Sequence, residues 1–331
     1  MKCRVCRGAA VVEVRRANAN FCGEHFNAFC TEQVRRTISE FRMLEPGDRV
    51  LVAVSGGKDS LALWDLLVGL GYEADGLYVG LGIGDYSDVS GEHARRFAAE
   101  RGLHLREIDL PGEYGYDIPS GSRAARRAPC SACGTSKRHL FDAAARDGGY
   151  DVVVTGHNLD DEAAVLFGNT MRWQVEYLAR QLPVLEAGHG FPKKAKPLVR
   201  LSERDTAAYC ILNGIDYLVD ECPMSAGNKH LGYKEALNQV EVVSPGTKSE
   251  FYFGFLRRAA ALFRESGDRG GQERQPVTCV RCGAPGGAEV CAFCRLVEKA
   301  TAQPVQLTRR PQAVAGDGGG DSPHTEAEAR T

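Results

Sequence analysis

The apolar run Val50-Leu51-Val52-Ala53-Val54 ends on Ser55-Gly56-Gly57-Lys58-Asp59-Ser60 and is followed by Leu61-Ala62-Leu63-Trp64-Asp65-Leu66-Leu67. That succession predicts a buried strand, a glycine-rich turn and the start of a helix. The alternation continues downstream. Strands are expected at Val50–Val54, Ala74–Val79, Leu103–Ile108 and Val152–Thr155, and helices at Leu61–Leu70, Gly91–Arg101, Ser136–Arg146, Asp160–Gly168 and Ser202–Asn213. Such a pattern implies a doubly wound α/β fold, a parallel sheet covered on both faces. Ligands in these sheets sit outside the carboxyl ends of the strands, where both Ser55–Ser60 and the segment after Val154 fall. Upstream, Val34, Ile38 and Phe41 have helical spacing within Thr31–Met43, and Pro46-Gly47-Asp48 reads as a turn. Residues 223–265 read as mainly helical. From Gln303 the chain turns to Gly, Pro, Asp, Ala and Glu, and Gly316–Asp321 has too little apolar surface to offset its ordering entropy, so disorder is expected there.

The turn carries the chemistry of a phosphate site. A helix N-terminus offers unpaired N–H groups and a positive dipole end, two glycines let a phosphate approach the backbone, and Lys58 adds a point charge. It is not the nucleoside-triphosphate P-loop, which needs a glycine five residues before Gly57 and Ser or Thr after the lysine; Val52 and Asp59 occupy those positions. The competing reading is an ordinary strand-to-helix turn.

A length of 331 residues suggests about two domains, or one domain with appendages, and 43% hydrophobic content is enough for a core. No run of 18 apolar residues appears and Met1–Cys6 opens no apolar leader, so a cytoplasmic protein without a membrane span is expected. The net charge of −2 does not advertise a nucleic-acid binder. Two local basic groups do more: Arg123, Arg126 and Arg127 with Lys137 and Arg138, and the run Lys193, Lys194, Lys196 and Arg200. Either can contact phosphates or form a solvated face.

Twelve cysteines in a reduced compartment point to metals or thiol chemistry rather than disulfides. Cys3-x2-Cys6 with Cys22-x2-His25 supplies four tetrahedral ligands for zinc, with Cys30 as the alternative to His25. Cys279-x2-Cys282 with Cys291-x2-Cys294 is a four-cysteine zinc ribbon pattern, a closed structural site. Cys130-x2-Cys133 has no second pair nearby, only the distant Cys222. Three thiolates can hold a cubane iron–sulfur cluster and leave one iron open; a dithiol redox pair and a structural pair remain the rival readings. Cys210, in an apolar run, reads as a buried structural thiol. The expected division is a zinc finger over 1–30, a catalytic domain over 31–265, a zinc ribbon over 276–298 and a tail over 303–331.

With these residues in place, the chain resembles the TtuA-type tRNA 2-thiouridine synthetases of the TtcA/TtuA group, PP-loop ATP pyrophosphatases with an adenine nucleotide alpha-hydrolase-like fold. The likeness covers about residues 1–300 and rests on both zinc patterns, Ser55–Ser60, Gly82–Ser87, Pro129–Cys133 with Lys137 and Arg138, Gly156–Glu162 and Glu221–Ser225. It implies that ATP adenylates the 2-oxygen of a tRNA uridine and that sulfur then displaces AMP. By match, Cys130, Cys133 and Cys222 would hold a [4Fe-4S] cluster that presents the sulfur. Gly56, Gly57 and Lys58 would hold the β and γ phosphates, with hydroxyl bonds from Ser55 and Ser60. Ala53 and Gly156 would flank adenosine, Asp59 and Asp161 would hold or orient Mg2+, and Lys137 would balance the α-phosphate. His157 is assigned to packing rather than proton transfer. The tRNA must present an unstacked base, with the zinc modules and Lys193–Arg200 gripping the backbone around it. A ubiquitin-like carrier with a C-terminal thiocarboxylate, or sulfide, is the implied sulfur donor, and a homodimer the implied assembly. The T-loop uridine is favoured as target over the wobble uridine. A PP-loop amide-forming ligase and a non-catalytic zinc-module RNA-binding scaffold are the readings from other classes.

Overall fold

The computed structural model describes residues 1–270 and 277–302. The tail expected from residue 303 lies outside them. A six-stranded sheet forms the centre, in the order β5 (Leu105–Asp109), β4 (Glu73–Gly80), β3 (Arg49–Val54), β6 (Val152–Thr155), β8 (Lys193–Ala195), β7 (Val184–Leu185). All neighbours are parallel except β7 against β8. A two-stranded hairpin, β1 (Val12–Val14) and β2 (Ala19–Phe21), precedes the sheet, and β9 (Val277–Thr278) pairs with β10 (Pro285–Gly286) near the C-terminus.

Strand β3 is buried on both faces because its apolar residues alternate between two cores. Val50, Val52 and Val54 pack with Leu63, Trp64 and Leu67 of α2 (Lys58–Gly69), beside α1 (Gly23–Glu40). Leu51 and Val153 face the opposite way, toward Leu140 and Ala144 of a later helix, α6. That two-sided burial is why the strand reads as an unbroken apolar run. The expected strands occur, with ends displaced by no more than two residues.

Four of the five expected helices start earlier than their apolar periodicity suggests, and the fifth starts one residue later, at Glu203. Helix α3 spans Gly84–Arg101, not Gly91–Arg101, because its polar first turns are buried against the sheet: the Ser87 hydroxyl accepts the Ile83 N–H at 2.9 Å, and the Tyr78 hydroxyl bonds Ser90 Oγ at 2.7 Å. After the short helices α4 (Leu110–Tyr114) and α5 (Ile118–Ala124), α6 runs from Pro129 to Gly148 with proline in its first turn. Cys130 and Cys133 therefore lie on a helix. Helix α7 (Leu159–Met171) follows β6, then α8 (Val175–Leu178), α9 (Glu203–Leu212), α10 (Lys229–Val243), α11 (Thr247–Arg258), α12 (Ala260–Gly270) and α13 (Ala292–Thr301).

Three further features bear on function. Helix α1 runs unbroken across residue 30, so the N-terminal module and the sheet domain share a helix. The basic run begins on an internal strand, and its cations are engaged within the protein. Lys194 pairs with Asp142 at 2.7 Å, Lys196 with Glu162 at 2.8 Å and Arg200 with Glu40 at 2.5 Å, while Lys193 donates to the Arg42 carbonyl at 2.7 Å. The run is a structural element rather than a free basic face. The C-terminal module is joined to the sheet domain by a shared core, in which Phe293, Leu296 and Val297 of α13 are buried with Ile118, Leu140 and Ala144. No helix among the described residues is long and apolar enough to cross a membrane.

Candidate active site

The glycine turn lies at the carboxyl end of β3. Gly56 has φ +73°, and a Cβ there would stand 2.1 Å from the Ser90 carbonyl oxygen, so both backbone conformation and space demand glycine. Gly57 caps α2 in extended conformation, leaving the first N–H groups of the helix directed at the loop. Ser60 holds the turn closed: its hydroxyl accepts the Ser55 N–H at 3.0 Å and donates to the Gly57 carbonyl at 2.9 Å. The Gly56 carbonyl accepts the Leu218 N–H at 2.9 Å, which ties the loop to the segment leading to Cys222.

A cavity of about 270 Å3 opens beside this turn, between the ends of β3 and β6 and the flank of α6. Ala53, Ser55, Asp59, Ser60, Lys137 and Gly156, all selected from the sequence, line it. Val54, Phe141, Thr155 and His157 complete the wall. Gly156 has its own steric reason: a Cβ there would meet the Asp59 carbonyl carbon and the Ser60 nitrogen at 2.9 Å. The end of β6 thus touches the first turn of α2, which sets the cavity's width. A larger cavity, about 370 Å3, lies between the N-terminal hairpin and α9–α11. Two of its cations are paired, Arg16 with Asp205 at 2.6 Å and buried Lys248 with Asp160.

Charged groups border the loop in a linked set. Lys58 Nζ is 3.1 Å from Asp59 and 2.9 Å from Glu203; burial opposes its ammonium, yet the two carboxylates hold its pKa above the ordinary value. Burial raises Asp59, partly offset by Lys58 and by the hydroxyl of Thr206. Asn158 joins the two acids proposed from sequence: its amide donates to Asp59 Oδ1 at 3.0 Å, and its backbone N–H donates to Asp161 Oδ2 at 3.1 Å in a capping box. Asp161 pairs with Lys234 at 2.7 Å, which overcomes burial and holds its carboxyl below the usual range. His157 bonds the Thr155 hydroxyl at 2.7 Å, and the dense protein around the cavity, with Lys196, lowers its imidazole pKa.

Sequence reasoning missed Phe141, Asn158, Thr206, Glu203 and Lys234. Asn158 and Glu203 had a signal, as the cap of α7 and the residue after the Ser202 cap of α9. Lys234, on a mostly polar helix, had none.

The cysteines gather in three places. The ligand atoms of Cys3, Cys6, Cys22 and His25 lie within 4.8 Å of one another, as do those of Cys279, Cys282, Cys291 and Cys294. Each set matches the soft tetrahedral donors zinc takes. Cys30 is instead buried in the core, its thiol pushed well up by burial. Cys130 and Cys133 sit three apart on the first turns of α6, and Cys222 caps a short 3-10 turn, Pro223–Ser225, that packs on that helix. Cys130 Sγ lies 3.6 Å from the Met224 carbonyl. Burial raises the Cys133 thiol, Lys137 lowers it, and the thiols of Cys222 and Cys130 raise it further. Lys137 follows one turn behind Cys133, so a single helix faces both the thiols and the cavity.

Comparison with known proteins agrees with this arrangement. A family model for the N-terminal LIM domain of the 2-thiouridine synthetase TtuA matches residues 2–27, and a PP-loop domain model matches residues 30–228. The tRNA-5-methyluridine(54) 2-sulfurtransferase of Thermus thermophilus is 49% identical over 296 residues, covering 89% of this chain and 91% of its own. Its counterpart from Pyrococcus horikoshii is 38% identical over 295 residues, covering 89% and 93%. The solved structure of the U34-tRNA thiolase NcsA from Methanococcus maripaludis with its [4Fe-4S] cluster superposes with a TM-score of 0.75 at 25% identity, covering 89% of this chain and 95% of that one. The chain belongs to the TtuA-type family of tRNA 2-sulfurtransferases, built on a PP-loop domain.

Proposed function

We propose that this protein uses ATP to replace the 2-oxygen of a tRNA uridine with sulfur, and that its target is 5-methyluridine 54 of the T-loop. The observation that carries this reading is the double duty of α6: it turns Lys137 into the cavity at the glycine loop and presents Cys130 and Cys133 one turn away.

The chemistry follows from the residues. A uridine 2-oxygen is a poor leaving group. It attacks the α-phosphorus of ATP, the bond from that phosphorus to the α–β bridging oxygen breaks, and pyrophosphate departs with that oxygen. The free N–H groups at the α2 N-terminus and Lys58 stabilise the departing charge. Ser55 and Ser60 donate to phosphate oxygens, Ala53 and Gly156 leave room for the adenosine, and Lys137 balances the α-phosphate. Asp59 would hold Mg2+ at this end, with Asp161 as a second oxygen donor or as the group that orients it. His157, which lines the cavity, offers its ring as a hydrogen-bonding group. Sulfur then attacks C2 and AMP leaves with the original oxygen and the bonding electrons.

Cys130, Cys133 and Cys222 would hold the [4Fe-4S] cluster, and the presence of that cluster in the NcsA relative supports the assignment. When bound, it supplies an open iron position for sulfide. Two Zn2+ would fill the terminal sites as structural ions. The sulfur is supplied by a ubiquitin-like thiocarboxylate carrier or by sulfide, the working assembly is a homodimer, and the division into 1–30, 31–265 and 276–298 is retained as a functional one.

The test is anaerobic thiolation of tRNA transcripts by reconstituted protein, with nucleoside mass spectrometry and mapping of the thiolated position, beside Cys222→Ser. Tight superposition on NcsA favours wobble uridine 34 as the second reading. Sulfur at position 54, with AMP formed per thiolation and iron lost from the variant, is the expected result. Sulfur at position 34 selects the second reading. Full thiolation by Cys222→Ser would sink the cluster assignment, and absence of thiolation in wild type as well would revive an amide ligase.

A further inference from the structure

Lys234 lies on α10, beyond residue 228 where the PP-loop family model ends. Its Nζ is 2.7 Å from Asp161 Oδ1 and 3.4 Å from Glu203 Oε2. The other Glu203 oxygen, Oε1, is 2.9 Å from Lys58 Nζ, whose ammonium also meets Asp59 at 3.1 Å. Two ammonium groups from opposite sides of the site therefore share one carboxylate. Glu203 is half-exposed in side-chain terms, 39%, while both lysines are at 21%. The carboxylate closes the outer side of the pair and the lysines lie beneath it.

We propose that Lys234 is a second phosphate-side cation of the nucleotide site, held ready by Glu203 without nucleotide and transferred to the β and γ phosphates when ATP enters. This rests on the reading that Ser55–Ser60 binds ATP. A polyphosphate offers more charge and more acceptor oxygens than a single carboxylate, so it competes for both ammonium groups at once. Lysine suits the exchange, because it is a point charge on a flexible stem that can move between partners without an orientational requirement. Glu203 stays stabilised after release because it opens α9, where the helix dipole favours a negative charge. Asp161 is freed of its lysine in the same event.

The experiment is isothermal titration of the full-length, zinc-loaded protein with a non-hydrolysable ATP analogue and, separately, with AMP. Wild type is compared with Lys234→Met, Lys234→Arg and Glu203→Gln. Lys234→Met is expected to weaken the ATP analogue by about tenfold or more, the scale of one charge-assisted hydrogen bond, with AMP affinity unchanged. Lys234→Arg should restore most of the loss, and Glu203→Gln should tighten the analogue. Equal loss for both ligands, or no loss, in Lys234→Met would overturn the assignment and leave Lys234 a structural partner of Asp161. Weaker analogue binding by Glu203→Gln would overturn its role as the competing anion. Wild type that does not prefer the ATP analogue to AMP would instead overturn the phosphate site itself.

Discussion

The imidazole of His139 lies parallel to the ring of Phe293, with centroids 4.1 Å apart and planes 11° from coincidence. His139 belongs to α6, the helix of Cys130, Cys133 and Lys137; Phe293 belongs to α13, two residues after Cys291. After the Cys282 and Cys294 side chains, His139 is among the hydrogen-bond partners that depress the Cys291 thiol. The C-terminal four-cysteine module therefore braces the back of the helix whose front faces the cavity at the glycine loop. His139→Ala should cost about 1 kcal/mol, the scale of one aromatic stack, and should speed zinc release to a chelator. His139→Phe should recover the melting temperature but not the slow zinc release. Unchanged release in both variants would show that the imidazole does not support the thiolate.

Gly56→Ala should remove nucleotide binding. The added methyl meets the Ser90 carbonyl at 2.1 Å, and the left-handed backbone costs a further ~1–2 kcal/mol for an L side chain. Gly57→Ala is the control, since its Cβ would make only an ordinary 3.5 Å contact with Ser55 Oγ. Equal ATP-analogue affinity in the two variants would remove the special status of Gly56.

Lys196→Met should destabilise the fold without weakening tRNA binding. The Lys196–Glu162 pair is 2.8 Å long with Glu162 3% exposed, so removing the lysine strands a buried carboxylate, at a cost of about 3–5 kcal/mol. Thermal melting and a tRNA gel shift read the two effects separately. Loss of tRNA affinity at full stability would restore the basic run to the RNA surface.

His157 makes stability depend on pH in a defined direction. Its folded pKa lies below the ordinary 6.5, so the unfolded chain binds a proton first and stability falls as pH drops below 6.5 toward the folded value. His157→Gln should flatten the melting-temperature profile in that window and leave it unchanged above. A profile identical to wild type would mean the ring titrates as it does in the unfolded chain.

The loop and four central strands were legible because two constraints coincide there: a strand buried on both faces must be apolar throughout, and a backbone at positive φ pressed against the Ser90 carbonyl must be glycine. The two four-ligand sets were legible because short spacing alone brings their side chains together. Helix starts were not, since Ser87 and Ser90 look like loop residues until Tyr78 and the Ile83 N–H are seen to satisfy them. Nor were the partners of Lys58: Glu203 is 145 positions away, and only tertiary packing carries it to the loop. The ion pairs of the basic run were hidden for the same reason, because its matching acids come from α1, α6 and α7.

The bond from Leu218 N–H to the Gly56 carbonyl has a mechanical meaning. Three residues lie between Leu218 and Cys222, and even fully stretched the four Cα steps reach only about 14 Å. Cys222 is thus on a short leash fastened to the glycine loop. Whatever its sulfur holds cannot swing away to collect cargo elsewhere and return, so the cargo must come to the loop.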